Sequence, residues 1–330
     1  MKISVIGAGS WGTAMSKVLS DSGHEVLLWV REKELLELLN EQRRSYYIED
    51  LTLPEGIRFT GDIHECFEFS NLLFNAVPVQ YIRSVFGRLN LEDKTVVNLS
   101  KGIELVSLKR PSEIFKELGT FRVVTISGPS YADEVAREIP TTVVSAAENI
   151  QDARFVRDIF RTNYFRVYSS DDLVGVEISG ALKNVIAIAA GIIDGLGGWY
   201  NTKASLITRA TVEFIRLGSR LGAKPGTFGG LAGIGDLIVT CTGKYSRNRA
   251  VGEELAKGKK IEEILKNKKT VAEGVPTCKA IFELSKRLNV ELPISIEVYR
   301  VIYEEKDPRI AIEELMTRKQ KDEISWLQNL

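Results

Sequence analysis

ISVIGAGSWG, residues 3–12, decides how the rest of the chain is read. Residues 3–6 form a short apolar run with strand character, and Gly7-Ala8-Gly9-Ser10-Trp11-Gly12 follows directly. A helical pattern then covers 13–22, and a second strand pattern covers 25–30. In a strand, Gly-x-Gly-x-x-Gly, helix, strand order each glycine has its own task. Gly7 permits the tight turn, Gly9 lets a pyrophosphate approach the backbone, and Gly12 lets the helix pack on the strand. The helix start, carrying Ser10 and Trp11, offers N–H groups and a partial positive charge to phosphates. The glycine spacing alone is a weak signal; its position between strand and helix gives it weight.

Working outward, the end of the second strand bears on cofactor choice. An acid there would hold a ribose 2′-hydroxyl and favour NAD. The sequence is Leu28-Trp29-Val30-Arg31-Glu32. Arg31 suits an adenine face or a 2′-phosphate, and Glu32 comes next. NAD and NADP both remain open, with a lean to NADP. Further strands are expected at 72–77, 95–99, 123–126, 141–146 and 165–168, with helices at 31–40, 80–89, 111–118 and 152–160. A polar loop region is expected at 41–61. Ligands gather beyond the carboxyl ends of strands in such sheets. Lys101 stands at one such end, before Gly102. Ser127-Gly128-Pro129-Ser130-Tyr131-Ala132 stands at another, offering backbone N–H groups and a hydroxyl.

From residue 171 onward the strand pattern stops, and helices are expected at 172–195, 203–221, 247–257, 273–288 and 292–304. The fold class is therefore an α/β Rossmann-type dinucleotide-binding domain, residues 1–171, followed by an all-α substrate domain, residues 172–330. The helix that opens the second domain contains VEISGALKNVIAIAAG, 176–191, with one lysine, Lys183, and Asn184 beside it in a largely apolar, small-residue run. At helical spacing Lys183 shares a face with Val176, Ser179, Gly180, Ala187 and Ala190, and Asn184 with Gly180, Ala181, Ala187, Ile188 and Gly191. Glycine costs about 1 kcal/mol relative to alanine in a helix, so close approach of another group is expected there. A partly buried lysine is drawn toward the acid/base range by desolvation; the plainer alternative is a core helix whose lysine snorkels outward.

TFGGLAGIGDLIVTCT, 227–242, is glycine-rich and holds one acid, Asp236, in apolar surroundings, where a charge needs a partner. Ser246-Arg247-Asn248-Arg249 brings a hydroxyl, guanidinium groups and an amide to a helix start, a set suited to an anion or, more plainly, to a capped helix. Val271-Ala272-Glu273-Gly274 precedes another helix, and Glu273 reads as a helix-start acid or a cofactor contact.

Composition narrows the function classes. Lys plus Arg and Asp plus Glu both total 44 in 330 residues, so no nucleic-acid or acidic-surface partner is indicated. Cys66, Cys241 and Cys278 are widely spaced, which argues against a disulfide framework or zinc site and fits a reducing cytoplasm. No metal is expected. The apolar run 185–193 is far short of the roughly 20 residues that span a bilayer, and the start does not read as a cleavable leader. His24 and His64 look like loop or helix-end positions, which leaves lysine as the better proton carrier.

Taken together, GAGSWGTA (7–14), SKG (100–102), SGPSYADEV (127–135), VEISGALKNVIAIAAGIIDGL (176–196), TFGGLAGIGDLIVTCT (227–242), SRNRAVG (246–252) and VAEGV (271–275) resemble bacterial NAD(P)-dependent glycerol-3-phosphate dehydrogenases. The resemblance runs in order over nearly the whole chain. Val79, where a serine is common, and Trp199-Tyr200, in a usually smaller and more polar stretch, are its departures. It implies reversible reduction of dihydroxyacetone phosphate to sn-glycerol 3-phosphate for glycerophospholipid synthesis, in a cytoplasmic protein for which a homodimer is an open assembly. It further implies Lys183 as proton acceptor and donor, with Lys101 and Asp236 beside it in the chemistry. Substrate contacts would come from Lys101, Gly128, Ser130, Asp236, Ser246, Arg247 and Asn248, and from Asn184 if that amide holds a hydroxyl. Dinucleotide contacts would come from Ser10, Trp11, Arg31, Lys101, Ala132, Arg247, Val271 and Glu273. A carboxylate-directed reductase of related build and a non-enzymatic dinucleotide sensor are the competing readings.

Overall fold

The short apolar runs of the first half become one eight-stranded sheet: β1 (Lys2–Ile6), β2 (Glu25–Trp29), β3 (Ile57–Thr60), β4 (Leu72–Asn75), β5 (Thr95–Asn98), β6 (Arg122–Ser127), β7 (Thr141–Ala146) and β8 (Phe165–Ser170). The computed structural model describes residues 1–120, 122–266, 272–320, 322 and 323. Within it the chain divides into two units, Met1–Lys101 with Arg110–Leu173, and Gly102–Lys109 with Val174–Leu330.

In the first unit the strand order is β3-β2-β1-β4-β5-β6-β7-β8. β7 runs antiparallel to β6, and the other neighbours are parallel. Parallel strands covered on both faces carry near-continuous apolar runs. Here adjacent residues feed two separate cores: Ile3, Val5, Phe74 and Val97 in one, Ile6, Leu73 and Val96 in the other. The order reverses direction between β1 and β4, the switch point where open α/β sheets bind ligands.

β3 falls inside the stretch read as polar loop. It is a four-residue edge strand with Arg58 exposed, too short and too mixed to give a period. Arg43, at φ 55°, closes the preceding loop by donating to the carbonyls of Leu53, Pro54 and Ile57. The helix expected at 80–89 is a 3₁₀ turn, Val79–Tyr81, running into the short helix Ile82–Phe86. Val79 is buried there, packed in the core as an apolar residue.

The second unit is helical among the described residues, with Leu173–Leu196, Tyr200–Arg220, Asp236–Thr242, Arg247–Ala256, Ile261–Lys266, Gly274–Leu288, Pro293–Tyr303 and Pro308–Met316. Leu173–Leu196 is apolar over most of its circumference, the mark of a helix buried among others. Among the described residues it is long and apolar enough to cross a membrane, yet 94% of that stretch is buried by protein. Ile178, Leu182, Val185 and Ile186 pack in one core with Phe214, Phe228, Leu237 and Ile281.

Residues 102–109 depart from the continuous division expected at 171. Ile103 is fully buried in the helical core, and Leu105 and Leu108 pack against it. Their apolar partners lie far along the chain, so no local pattern announces them.

Candidate active site

The glycine turn after β1 shows two different uses of the residue. Gly7 has φ +111°, and a Cβ on it would stand 3.2 Å from the Ala76 carbonyl carbon. A Cβ on Gly12 would stand 1.9 Å from the Gly7 carbonyl oxygen, so the helix Ser10–Asp21 seats on the turn only without a side chain there. Gly9 is the opposite case. Its φ is −68°, and nothing lies within 4 Å of where its Cβ would be. Gly9 is also the N-cap of that helix, with no side-chain cap and no acid in the first turn. The Trp11 indole nitrogen is buried without a hydrogen-bond partner among the described residues. Open space, uncapped helix N–H groups and an orphaned donor together fit the phosphates of a dinucleotide. Ser10 Oγ reaches the Tyr47 carbonyl at 3.5 Å. The exposed Arg31 guanidinium is 2.8 Å from the Glu32 carboxylate.

At the ends of β5 and β6 three expected residues meet. Lys101 Nζ donates to the Gly128 carbonyl at 3.2 Å, and Ser130 Oγ donates to the same oxygen at 2.9 Å. Gly128 has φ +146°, and a Cβ there would stand 2.9 Å from Val143 Cα, so no other residue fits. Ala132 opens the short helix Ala132–Ala136 just beyond.

In the helical unit Lys183 is 8% exposed, and its ammonium donates to Asp236 Oδ1 at 2.5 Å and to Thr240 Oγ1 at 3.0 Å. Asp236 is 1% exposed, so the partner its charge requires is this lysine. Asp236 and Thr240 are one turn apart on Asp236–Thr242, a helix that follows directly on a single π-helical turn, Leu231–Gly235. Such turns are frequent at functional sites. A Cβ on Gly233 would stand 2.2 Å from the Phe228 carbonyl oxygen, which explains a glycine in that run. The Thr240 hydroxyl donates to the Asp236 carbonyl at 2.6 Å, leaving a lone pair for the lysine. Sequence reading passed over Thr240, although its place four residues after Asp236 puts it on the same face.

Asn184 accepts a hydrogen bond from Asn248 Nδ2 at 2.9 Å, and Asn248 Oδ1 accepts the Gly274 N–H at 3.0 Å. Asn248 therefore bridges the lysine helix to the start of Gly274–Leu288. Ser246 caps Arg247–Ala256, its Oγ accepting the Arg249 N–H at 3.2 Å. Arg249 pairs with Asp194 and Glu253, whereas the exposed Arg247 has no ion-pair partner among the described residues. Glu273 is half-buried at the N-cap position of Gly274–Leu288 and makes no side-chain cap. Val271 lies outside the described residues.

The close approach expected along this helix is made at Gly191 by the protein itself. A Cβ on Gly191 would stand 1.9 Å from the Arg249 carbonyl oxygen, and one on Gly252 would stand 2.0 Å from that of Ile188. The close approach is that of Arg247–Ala256 against the lysine helix. It brings Asn248 to Asn184. Trp199 is the N-cap of Tyr200–Arg220, where its indole lies against Gly197 and Tyr200 is exposed. Cys66, Cys241 and Cys278 are all buried free thiols, and burial pushes Cys66 and Cys241 up to about 12.

Residues 2–153 match the family model described as the N-terminus of NAD-dependent glycerol-3-phosphate dehydrogenase, and residues 172–313 match its C-terminus. The chain belongs to that family. A glycerol-3-phosphate dehydrogenase [NAD(P)+] of Thermotoga sp. (strain RQ2) is 48% identical over 98% of this chain and 99% of its own length. One from Oceanobacillus iheyensis is 45% identical over 99% and 96%. The crystal structure of glycerol-3-phosphate dehydrogenase from Coxiella burnetii superposes with a TM-score of 0.91 at 35% identity, covering 96% of this chain and 99% of that one. The family is an NAD(P)-dependent oxidoreductase family, so the uncapped glycine turn has its occupant class.

Proposed function

We propose that the chain catalyses the reversible NAD(P)H-dependent reduction of dihydroxyacetone phosphate to sn-glycerol 3-phosphate, with Lys183 as the proton donor in that direction and acceptor in the other. The observation that carries the assignment is the buried Lys183 ammonium held by Asp236 and Thr240 at 2.5 and 3.0 Å. Bound dinucleotide supplies the hydride that goes to the carbonyl carbon. Gly7, Gly9, Ser10, Trp11 and Gly12 would hold the dinucleotide, and Arg31, Lys101, Ala132, Arg247, Val271 and Glu273 are its further expected contacts.

As the carbonyl carbon is reduced, negative charge develops on its oxygen, and a preorganised cation or proton there lowers the barrier. Lys183 meets this need by giving a proton to the oxygen. Asp236 and Thr240 take up the ammonium in place of water and fix where the nitrogen stands, so little reorganisation is left for the reaction. Lys101, held on the Gly128 carbonyl, adds a second positive charge toward substrate, with Ser130 beside it. Arg247 suits the phosphate because an exposed guanidinium forms two parallel bonds to phosphate oxygens. Ser246 and Asn248 shape that corner through the helix cap and the bridge to Asn184. We assign Asn184 the orientation of the site, because its carbonyl oxygen is already used by Asn248.

The lean to NADP rests on Arg31, an exposed cation just past β2, where NAD-selective sheets carry an acid. We assign the reaction to the cytoplasm, in support of glycerophospholipid synthesis. We expect two copies to pair. An initial-rate assay of dihydroxyacetone phosphate with NADPH and with NADH tests substrate and cofactor together. Oxidation of neither cofactor would overturn the function, and preference for NADH would overturn the NADP lean alone.

A further inference from the structure

Three side chains at the ends of β4 and β5 make more hydrogen bonds than a sheet edge requires. Asn75 and Asn98 have no exposed surface, and Ser100 is 8% exposed. Asn98 folds its amide back on its own chain. Its Oδ1 accepts the Ser100 N–H at 3.2 Å, and its Nδ2 donates to the Ser100 carbonyl at 2.9 Å. Asn75 holds the next turn in a related way, with Oδ1 accepting the Val77 N–H at 3.1 Å.

The two turns are then joined. Asn75 Nδ2 donates to Asn98 Oδ1 at 3.0 Å and to Ser100 Oγ at 3.1 Å, and Ser100 Oγ donates to the Val77 carbonyl. Ser100 therefore has its N–H, carbonyl and hydroxyl all engaged. Lys101 is the next residue. On the other side, the backbone of Ala76 and Val77 stands 3.2 to 3.3 Å from where a Gly7 Cβ would be. The bracket runs from the wall of the glycine turn to the base of Lys101.

An amide is the group that can do this, because each side chain must both accept and donate: Asn98 does both within two residues of itself, and Asn75 accepts locally and donates across to Asn98 and Ser100. A buried network with its partners present is rigid, and one broken member leaves the others unpaired. We infer that Asn75, Asn98 and Ser100 are positioning residues that fix Lys101 relative to the dinucleotide turn. The inference rests on the role proposed above for Lys101 in holding substrate.

A double-mutant cycle tests it, using kcat/KM for dihydroxyacetone phosphate and the dinucleotide Kd from protein fluorescence. Ser100→Ala removes the links made through the Ser100 hydroxyl and leaves the Asn98 clamp and the Asn75–Asn98 bond. It is expected to lower kcat/KM about 10-fold, with dinucleotide Kd changed less than 3-fold. Ser100→Thr, which restores the hydroxyl, is expected to recover most of the loss. In the Lys101→Ala background Ser100→Ala should cost less than a further 2-fold, because it acts through a side chain already gone. Should Ser100→Ala fail to fold, Ser100→Cys, which keeps the shape with a weaker donor, goes through the same cycle. A large Lys101→Ala effect that simply multiplies with the Ser100 effect, or a silent Ser100 variant, overturns the inference alone. A silent Lys101→Ala overturns the role of Lys101, and the inference with it.

Discussion

Glycine does opposite work in the two units. At Gly9 it keeps space empty at an uncapped helix start; at Gly191 it lets a neighbouring backbone fill the space. The first unit presents its chemistry on strand ends and turns that stay open. The helical unit presents its lysine from the middle of a core helix, with the ammonium held by Asp236 and Thr240. A glycine-rich stretch therefore says that something comes close, and only the fold says whether that is a ligand or the protein itself.

The largest expected effect lies at the closed site. Lys183→Ala should keep the fold and dinucleotide binding while turnover falls roughly 1,000-fold, about 4 kcal/mol of barrier. Stopped-flow and steady-state rates would check it, and near-wild-type turnover would remove Lys183 from the chemistry. Gly191→Ala puts a methyl group on the Arg249 carbonyl and should cost about 3 kcal/mol of stability, roughly 10 °C in Tm. A melt unchanged by that substitution would mean that the helices can separate without loss.

The closed unit also buries an acid, Glu213, which accepts the Ile294 and Ser295 N–H groups at 2.5 and 3.1 Å and the Ser295 hydroxyl at 2.7 Å. Burial raises its carboxyl to about 7, against the pull of those hydrogen bonds. A carboxyl raised in the folded state contributes stability that is present below its unfolded value near 4.5 and lost as pH rises through about 7. Urea midpoints should fall over that window by the equivalent of about 2 to 3 kcal/mol, and Glu213→Gln should flatten the slope. The smallest effect belongs to the open site. Gly9→Ala has ordinary backbone angles and no neighbour to strike, so Tm should hold while dinucleotide Kd rises about 10-fold, about 1.4 kcal/mol. A lowered Tm with unchanged Kd would reverse the contrast between the two glycines.

Much of this is legible in residue order because its causes are local. β1, the glycine turn and β2 follow from apolar runs and turn chemistry, and the long helices follow from apolar periodicity. Lys183 and Asp236 stood out because charges in apolar runs must find partners, and they found each other. What escaped depends on distant partners or very short elements. β3 is four residues at an edge, and the helix Ile63–Phe69 is only seven long. Glu213 reads as an ordinary helix acid until the start of Pro293–Tyr303 arrives beside it. The Asn75 and Asn98 bracket needs two strands in register before either amide has a reason to be there.

The segment Gly102–Lys109 has a consequence for how the protein is made. The ribosome delivers Ile103, Leu105 and Leu108 well before the lysine helix whose core they complete. These side chains must wait, exposed, while β6, β7 and β8 are still being synthesised. A gene cut at residue 172 would yield a helical fragment with a hole in its centre. Neither a late start nor an early stop therefore carries a whole helical domain.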